Sequence, residues 1–213
     1  MAKSQYPVNG KYKKDFKVTS PYGYRMHPIR QEKVHHNGVD LWGAKNPLLI
    51  EVWHDGQVIV SGTNMASFGH YVVVRSKVGK VWITSLYAHL EKPSKLKKGQ
   101  KVEAGTVVGI MGDSGPVTGK HLHFEIGKGK NHPFIFGGDG KDYYDPMKFV
   151  AATMKREEAD LEAKQATAEA GVATPDTEDV ADVPAHSLTA EDAATLPKPV
   201  AKPKPARKPA RKK

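Results

Sequence analysis

Residues 118–126, TGKHLHFEI, place two histidines one residue apart in an otherwise apolar run. Side chains two positions apart on a β-strand project from the same face of the strand. The run therefore predicts a strand with His121 and His123 on one face and with Leu122 and Phe124 on the other. An exposed polar face explains such a histidine pair as readily as a functional site does, so the rest of the chain has to decide between these interpretations.

The charge of the 213-residue chain is divided unevenly along its length. The formal net charge is +10; residues 1–153 and the last residues from 193 onward are basic, whereas the segment between them is acidic. A basic domain favours an anionic partner such as nucleic acid, a membrane surface or an anionic cell-wall polymer. The sequence contains no recognisable nucleic-acid-binding motif, so we expect no specific nucleic-acid partner. It also lacks an apolar run of about 18 residues, so we expect no membrane span.

The distribution of turn residues and apolar runs predicts four segments. Residues 1–16 form an N-terminal lead-in to an all-β domain at residues 17–150, in which short Val- and Ile-rich runs alternate with Gly, Asn, Asp and Pro turns. This pattern indicates a compact antiparallel sandwich or barrel-like fold. Residues 151–170 extend a helix that begins near Asp145-Pro146. Residues 171–213 are predicted to be a disordered acidic linker followed by a basic Lys/Pro-rich tail.

Two further stretches contain the residue types of an open zinc site, which must use histidine and carboxylate ligands because the chain has no cysteine. In HHNGVD, His36 and Asp40 are four apart, and an even spacing on a strand keeps both side chains on one face. These are two of the three protein ligands that such a site needs, and His123 can supply the third. A surface turn with a His–Asp hydrogen bond is the alternative. In LYAHLEK, His89 ends an alternating strand beside a turn.

Together these clusters resemble the lysostaphin-type, or LytM-type, zinc endopeptidases that cut bacterial peptidoglycan. The order is HHNGVD, then LYAH, then HLHFE after a Gly/Ser/Thr-rich loop. The likeness extends from about Thr19 to Pro146 through TSPYGYRMHP, ASFGHYVVV and KLKKGQKVEAGTVVGIMGDSGPVTG. The resemblance implies a LytM-type fold with a substrate groove, one Zn²⁺ per chain, and hydrolysis of peptide cross-links in peptidoglycan.

The resemblance also assigns the site residues, motif by motif. His36, Asp40 and His123 stand at the positions of the family's zinc ligands. His89 and His121 stand at the two positions that the family uses for catalysis without ligating zinc. Which of these two takes the proton from the attacking water stays open.

The other polar residues near the motifs carry less information. Glu125 shares a face with the histidine pair and is either an acceptor that orients one of them or an exposed carboxylate. His27 stands where lysostaphin-like members have a tyrosine, and it either stabilises the oxyanion or lines the groove. His70 is interpreted as structural, and Tyr24 and Arg25 as groove residues. No functional role is assigned to four histidines: His35, His54, His132 and His186.

Two other functions stay open beside the enzyme. One is a catalytically inactive relative of the same fold that acts as a wall-binding or hydrolase-activating scaffold; the filled ligand and catalytic positions argue against it. The other is a nucleic-acid-binding or packaging protein, which the net charge suggests.

The biological setting is inferred from the two ends of the chain. The first residues, MAKSQYPVNGKYKKDF, lack the apolar segment of a secretory signal peptide. We therefore favour a phage-encoded protein made in the host cytoplasm, either an endolysin or a virion-associated lysin, over a resident bacterial autolysin; the truncated mature form of a secreted enzyme would look the same. We expect the protein to act on the cell wall as a monomer. The basic tail is expected to attach it to anionic wall polymers.

Overall fold

A computed structural model of the chain describes the following residues: 4–26, 31–45, 47–134 and 139–170. The chain divides into two units, residues 1–172 and residues 173–213, and all described residues belong to the first. The predicted linker and tail at residues 171–213 lie outside the described residues, as do His27 and His186.

The described residues form twelve β-strands and one α-helix. The elements are β1 (Lys17–Ser20), β2 (Gly23–Met26), β3 (Lys33–His36), β4 (Gly38–Trp42), β5 (Leu49–Glu51), β6 (Gly56–Asn64), β7 (Gly69–Val78), β8 (Val81–Leu90), β9 (Lys101–Val102), β10 (Val107–Ile110), β11 (Leu122–Lys128), β12 (Tyr143–Tyr144) and α1 (Pro146–Ala170). Every strand pairing is antiparallel. The predicted all-β, antiparallel architecture with one following helix is confirmed.

Most strands belong to one sheet, in the order β1-β4-β11-β8-β7-β6-β9, with β12 pairing with β11. The pairs β10-β5 and β2-β3 form two small additional sheets. Strand β11 is central, and its register places His123 opposite Asp40 on β4 and opposite Ala88 on β8. The middle of the sheet therefore brings together three stretches that are far apart in the sequence.

Strand β8 packs against an apolar cluster on each of its two faces. Its residues alternate between the main core, where Ile83 and Tyr87 are fully buried, and a smaller apolar cluster that contains Leu86 and Ala88. Side chains of a strand point alternately to its two faces, so the sequence VWITSLYAHL supplies both layers. The Tyr87 hydroxyl accepts a hydrogen bond from a backbone N–H of the neighbouring core at 3.1 Å, which satisfies a polar group where no water reaches.

Residues 4–16, which the sequence predicts as a lead-in, contribute directly to the core. Val8 forms a bridge with Ile50, and both side chains are buried, as is Phe16. Ser4 donates its backbone N–H and its hydroxyl to the Glu157 carboxylate on α1 at 2.8 and 2.9 Å. The two ends of the described unit are thus joined by hydrogen bonds to a charged group.

Helix α1 begins at Pro146, where the sequence predicts its start. Asp145 caps it, because its carboxylate accepts the backbone N–H of Lys148 at 3.3 Å, and proline is favoured in the first turn. Val150 and Thr153 are buried against the sheet, whereas the second half of the helix is mostly exposed. The part of the chain that the structure describes holds no helix with the length and apolar character that a membrane crossing needs.

Candidate metal centre and active site

A cavity of about 650 Å³ opens on the face of the sheet that carries the histidine pair. The residues that the sequence singles out as ligands and catalytic groups all line it: His36, Asp40, His89, His121 and His123. Its other walls come from β1, from the β6–β7 turn and from the loop that precedes β11.

Three atoms of β3, β4 and β11 form a small triangle in this cavity. His36 Nε2 lies 3.1 Å from His123 Nδ1 and 3.2 Å from Asp40 Oδ1, and His123 Nδ1 lies 2.9 Å from Asp40 Oδ1. They form the only group of potential metal ligands of this kind among residues 4–26, 31–45, 47–134 and 139–170. The structure therefore brings together the three residues that the sequence analysis assigns as zinc ligands.

The outer nitrogens of the two imidazoles show which atoms face the triangle. His36 Nδ1 lies 2.9 Å from the Pro21 carbonyl oxygen, and His123 Nε2 lies 2.8 Å from Glu125 Oε1. These oxygens only accept hydrogen bonds, so each outer nitrogen carries the hydrogen. The inner nitrogen of each neutral ring is therefore a lone pair.

When both rings are neutral, such a triangle of acceptors needs positive charge at its centre, which either a proton or a metal ion can supply. Zn²⁺ binds imidazole nitrogen at about 2.0 Å with tetrahedral geometry, which separates neighbouring ligand atoms by about 3.3 Å. The observed separations of 2.9–3.2 Å are close to that value. Two histidines and one carboxylate are a ligand set of catalytic zinc, so the residues fit the ion.

The pKa shifts of Asp40 and His123 also indicate that positive charge is favoured at the centre of the triangle. Burial alone would raise the pKa of Asp40, but its hydrogen bonds with His123 and His36 hold that pKa well below its usual range. Burial alone would lower the pKa of His123, but its hydrogen bonds with Asp40 and Glu125 raise the pKa to about 10. The cluster thus favours positive charge at its centre.

His89 and His121 turn their Nε2 atoms towards the same cavity. The Nδ1 atom of His89 lies 2.8 Å from the Ser114 carbonyl oxygen, and that of His121 lies 2.8 Å from the Gly119 carbonyl oxygen. Each ring therefore donates from Nδ1, which leaves Nε2 as a proton acceptor when the ring is neutral. The two ring centroids are 4.9 Å apart, and His121 Nε2 lies 3.8 Å from Asp40 Oδ1.

The neutral form of His89 is strongly favoured. Burial, together with the positive charge of His123, lowers the pKa of His89 to about 4. Its ring is therefore neutral at neutral pH, with Nε2 available as an acceptor, although the lowered pKa makes it a weaker base than an ordinary imidazole.

A strained backbone holds His89 in this position. Its backbone φ is 59°, in the left-handed region that residues other than glycine rarely adopt. Ser114 supplies the carbonyl that fixes the ring, and its hydroxyl donates to the Leu90 carbonyl at 2.6 Å. Gly69 has φ 61°, and a Cβ on it would lie 2.2 Å from that same Ser114 carbonyl oxygen. The glycine of ASFGH thus leaves room for the group that orients His89.

Glu125 is an acceptor and not an exposed carboxylate. It is buried at 3% exposure and accepts the His123 ring hydrogen. Gly38 of HHNGVD lies beside it, because a Cβ there would be 2.8 Å from Glu125 Cγ and 2.5 Å from the Phe124 carbonyl oxygen. This glycine allows β4 and β11 to approach closely at the candidate metal centre.

The other residues weighed from the sequence lie around the site. An Arg25 guanidinium nitrogen is 3.7 Å from Asp40 Oδ2, whereas Tyr24 is 63% exposed and is not among the described residues that line the cavity. His70 pairs with the Thr63 hydroxyl at 2.9 Å, which fits a structural role. His35 contacts Asn37 and the ring of Tyr22, and it does not join the triangle.

The sequence analysis does not identify the backbone carbonyls of Pro21, Ser114 and Gly119, which fix three of the four imidazoles. No side-chain pattern reveals a backbone acceptor, although the Gly- and Ser-rich loop before TGKHLHFEI contains one of the three, Ser114.

Comparisons with known proteins agree with this geometry. Residues 34–134 match the sequence profile of Peptidase family M23. This part of the chain is therefore similar to M23 peptidases. The span runs from β3 to the segment after β11 and contains the proposed ligands together with His89 and His121.

The chain is also similar to curated bacterial proteins. The chain is 36% identical over 124 residues to the peptidoglycan DD-endopeptidase ShyA of Vibrio cholerae, covering 57% of this chain and 26% of that protein. It is 35% identical over 109 residues to the DD-carboxypeptidase/endopeptidase Mpg of Neisseria meningitidis, covering 51% of this chain and 24% of that protein. The chain thus spans about a quarter of the length of these relatives.

A solved structure supports the fold of the described residues. The catalytic domain of lysostaphin from Staphylococcus simulans is 25% identical with a TM-score of 0.52, covering 64% of this chain and 92% of that one. The predicted LytM-type fold is confirmed.

Proposed function

We propose that this chain is a zinc-dependent endopeptidase that hydrolyses peptide cross-links in bacterial peptidoglycan. The observation that carries the proposal is the triangle of three acceptor atoms from His36, Asp40 and His123, with the lone pairs of two more imidazoles turned towards the same cavity. The named activities of the DD-endopeptidase relatives support a cross-link between D-configured residues as the bond that is cut.

The chain's own residues would divide the work as follows. When bound to His36, Asp40 and His123, Zn²⁺ supplies a Lewis acid that lowers the pKa of water and polarises the scissile carbonyl. Either His89 or His121 can accept the proton of the attacking water at Nε2 and return it to the leaving amine. Their Nδ1–H bonds to backbone carbonyls keep both rings in the tautomer that this transfer needs.

The test is mass spectrometry of purified peptidoglycan after digestion, with a chelated sample and a zinc-restored sample as controls. New free amines that vanish with chelator and return with zinc are expected, and the muropeptide masses identify the bond. Intact muropeptides from zinc-loaded protein, across several wall chemotypes, would instead favour the inactive scaffold. Salt-dependent DNA binding without a metal requirement would favour the nucleic-acid-binding alternative.

We further propose that the protein lyses cell walls as a phage endolysin or virion-associated lysin that acts as a monomer, with its basic tail on anionic wall polymers. This proposal is supported by the sequence alone, and the curated relatives named above are bacterial proteins. Lysis of intact cells by protein added from outside, compared with lysis on expression inside a host, tests it.

A further inference from the structure

The imidazole of His132 lies directly over Gly127 of β11. A Cβ on Gly127 would be 2.3 Å from both Cγ and Cδ2 of the His132 ring. The ring also meets the edges of Tyr143 and Phe134, with centroid distances of 4.4 and 5.1 Å. His132 thus occupies the place of a side chain at position 127. That place lies on the strand face that carries His123 and Glu125, since alternate residues of a strand share a face.

Two polar atoms along this face have no hydrogen-bond partner in the described part of the chain. One is Glu125 Oε2, the oxygen that does not contact His123, and the other is His132 Nε2; both are buried. Buried polar atoms are almost always hydrogen-bonded, to protein or to ordered water. The negative charge of Glu125 also acts on the His132 ring, so the two groups are electrostatic neighbours.

The protonation of His132 determines what can join these atoms. Against the larger effect of burial, the Lys128 backbone acts to raise the pKa of His132, as a nearby carbonyl acceptor does, and the Lys128 N–H is already donated to the Asp142 carbonyl at 2.9 Å. We therefore assign the ring hydrogen to Nδ1, on the side of the Lys128 carbonyl, which leaves Nε2 without a partner among the described residues. Burial lowers the pKa of His132, so its Nε2 is an acceptor, like the carboxylate. A water molecule, with two hydrogens to give, is the group that satisfies both.

We propose that His132 is a positioning residue of the metal centre, whose Nε2 fixes Glu125 Oε2 through one shared water and thereby orients the His123 ring. The inference rests on the proposed metal site. Hydrogen-bonding partners that orient a metal-ligating histidine tune metal affinity by about 10- to 100-fold when they are removed. His132 would extend this support from Glu125 to a residue to which the sequence analysis assigns no role.

Paired substitutions at His132 test the proposal. In His132→Asn the amide nitrogen stands near Nδ1 and keeps the Lys128 bond, but nothing occupies the Nε2 position. In His132→Gln the amide reaches that position. We expect His132→Asn to weaken the zinc dissociation constant about ten-fold, and His132→Gln to restore most of the loss. The readouts are zinc affinity by competition with a chelator and the melting temperature of the metal-free protein.

Phe134→Leu is the matched control, because Phe134 packs against the same ring without contributing a polar atom. It should leave zinc affinity unchanged. A second arm places His132→Asn in a Glu125→Ala background, where its cost should disappear if the two residues act together. If His132→Asn does not fold, Gly127→Ala replaces it as the test, because the added methyl group displaces the His132 ring without removing a nitrogen. Zinc affinity should then fall, and an unchanged affinity would overturn the inference.

Equal zinc affinity in His132→Asn and the unchanged protein would overturn the inference. So would a cost that persists in full without Glu125. A failure of the unchanged protein to bind zinc would overturn the proposed function itself, and this outcome is distinct because it appears before any substitution is made.

Discussion

His36 Nε2 and His123 Nδ1 face each other at 3.1 Å, and when both rings are neutral neither atom has a hydrogen for the other. Their outer nitrogens are committed to Pro21 and to Glu125, so the rings cannot exchange tautomers without losing a buried hydrogen bond. Asp40 adds an anionic oxygen to the same point. This arrangement is stable only with positive charge at its centre.

Metal removal should therefore destabilise the fold. We expect a chelator to lower the melting temperature and zinc to restore it, because a ligand at about 1,000 times its dissociation constant stabilises a protein by about 4 kcal/mol. Thermal denaturation with and without zinc checks this. Asp40→Ala is the control, and a zinc-dependent shift of equal size in that variant would contradict the assignment.

His121 and His123 should separate catalysis from metal binding. His121→Ala should retain zinc but lose activity by about 10²- to 10⁴-fold, since it removes a group that handles protons. His123→Ala and His36→Ala should lose both metal and activity. Metal analysis of the purified variants decides: an empty His121 variant beside a full His36 variant would refute these roles.

Gly69 should affect catalysis through Ser114. Gly69→Ala places a methyl group 2.2 Å from the carbonyl oxygen that fixes His89, so we expect turnover to fall about ten-fold or more with zinc content unchanged. Gly99→Ala is the matched control: Gly99 also has a positive φ, 90°, but nothing lies within 4 Å of its Cβ position. Both variants pay about 1–2 kcal/mol in left-handed strain. Equal turnover in the two variants would exclude an effect through His89.

The strands that carry the candidate site could be predicted from the sequence. Alternation in VWITSLYAHL and KHLHFEI predicts β8 and β11, because a period of two appears directly in residue type. The candidate ligands are equally visible, since His and Asp are the only zinc-binding residue types in HHNGVD.

The support of the site was not predictable in the same way. The carbonyl of Ser114 orients His89 only because Gly69 leaves space for it, a relation between residues 45 positions apart. Val8 enters the core through its bridge to Ile50 of β5, and Phe16 is buried in the same core, but no local pattern distinguishes them from residues of a loop. Such contacts depend on the complete fold.

The stability of the metal-free protein should fall in mild acid. His89 has a pKa of about 4 when folded and about 6.5 when unfolded, so the unfolded chain binds more protons between these values. The free energy of unfolding therefore decreases as the pH falls from about 6.5 to about 4, by up to about 3 kcal/mol from this group. Denaturant titration across this range measures it, and His89→Asn, which tolerates the left-handed backbone, should reduce the slope. An unchanged slope would contradict the pKa of His89.

The basic tail should contribute to wall binding. Residues 193–213 contain eight basic residues and no acidic ones, and they lie outside the described residues. Deleting them should weaken binding to purified walls and reduce its salt sensitivity, because exposed charges are screened by salt. Sedimentation with walls at several salt concentrations tests this, and unchanged binding would remove the tail's assigned role.

The close approach at Gly38 links the motif HNGVD, which leads into β4, to the motif HLHFE, which leads into β11. A side chain at this position would collide with Phe124 and Glu125 on the neighbouring strand and would press on the His123 ring. Substitution of Gly38 would therefore disturb the second ligand motif from within the first, even with every ligand retained. HNGVD and HLHFE therefore depend on each other sterically, because the second motif fits only beside a residue without a side chain in the first. Transplanting either half alone into another sheet should fail to recreate the site.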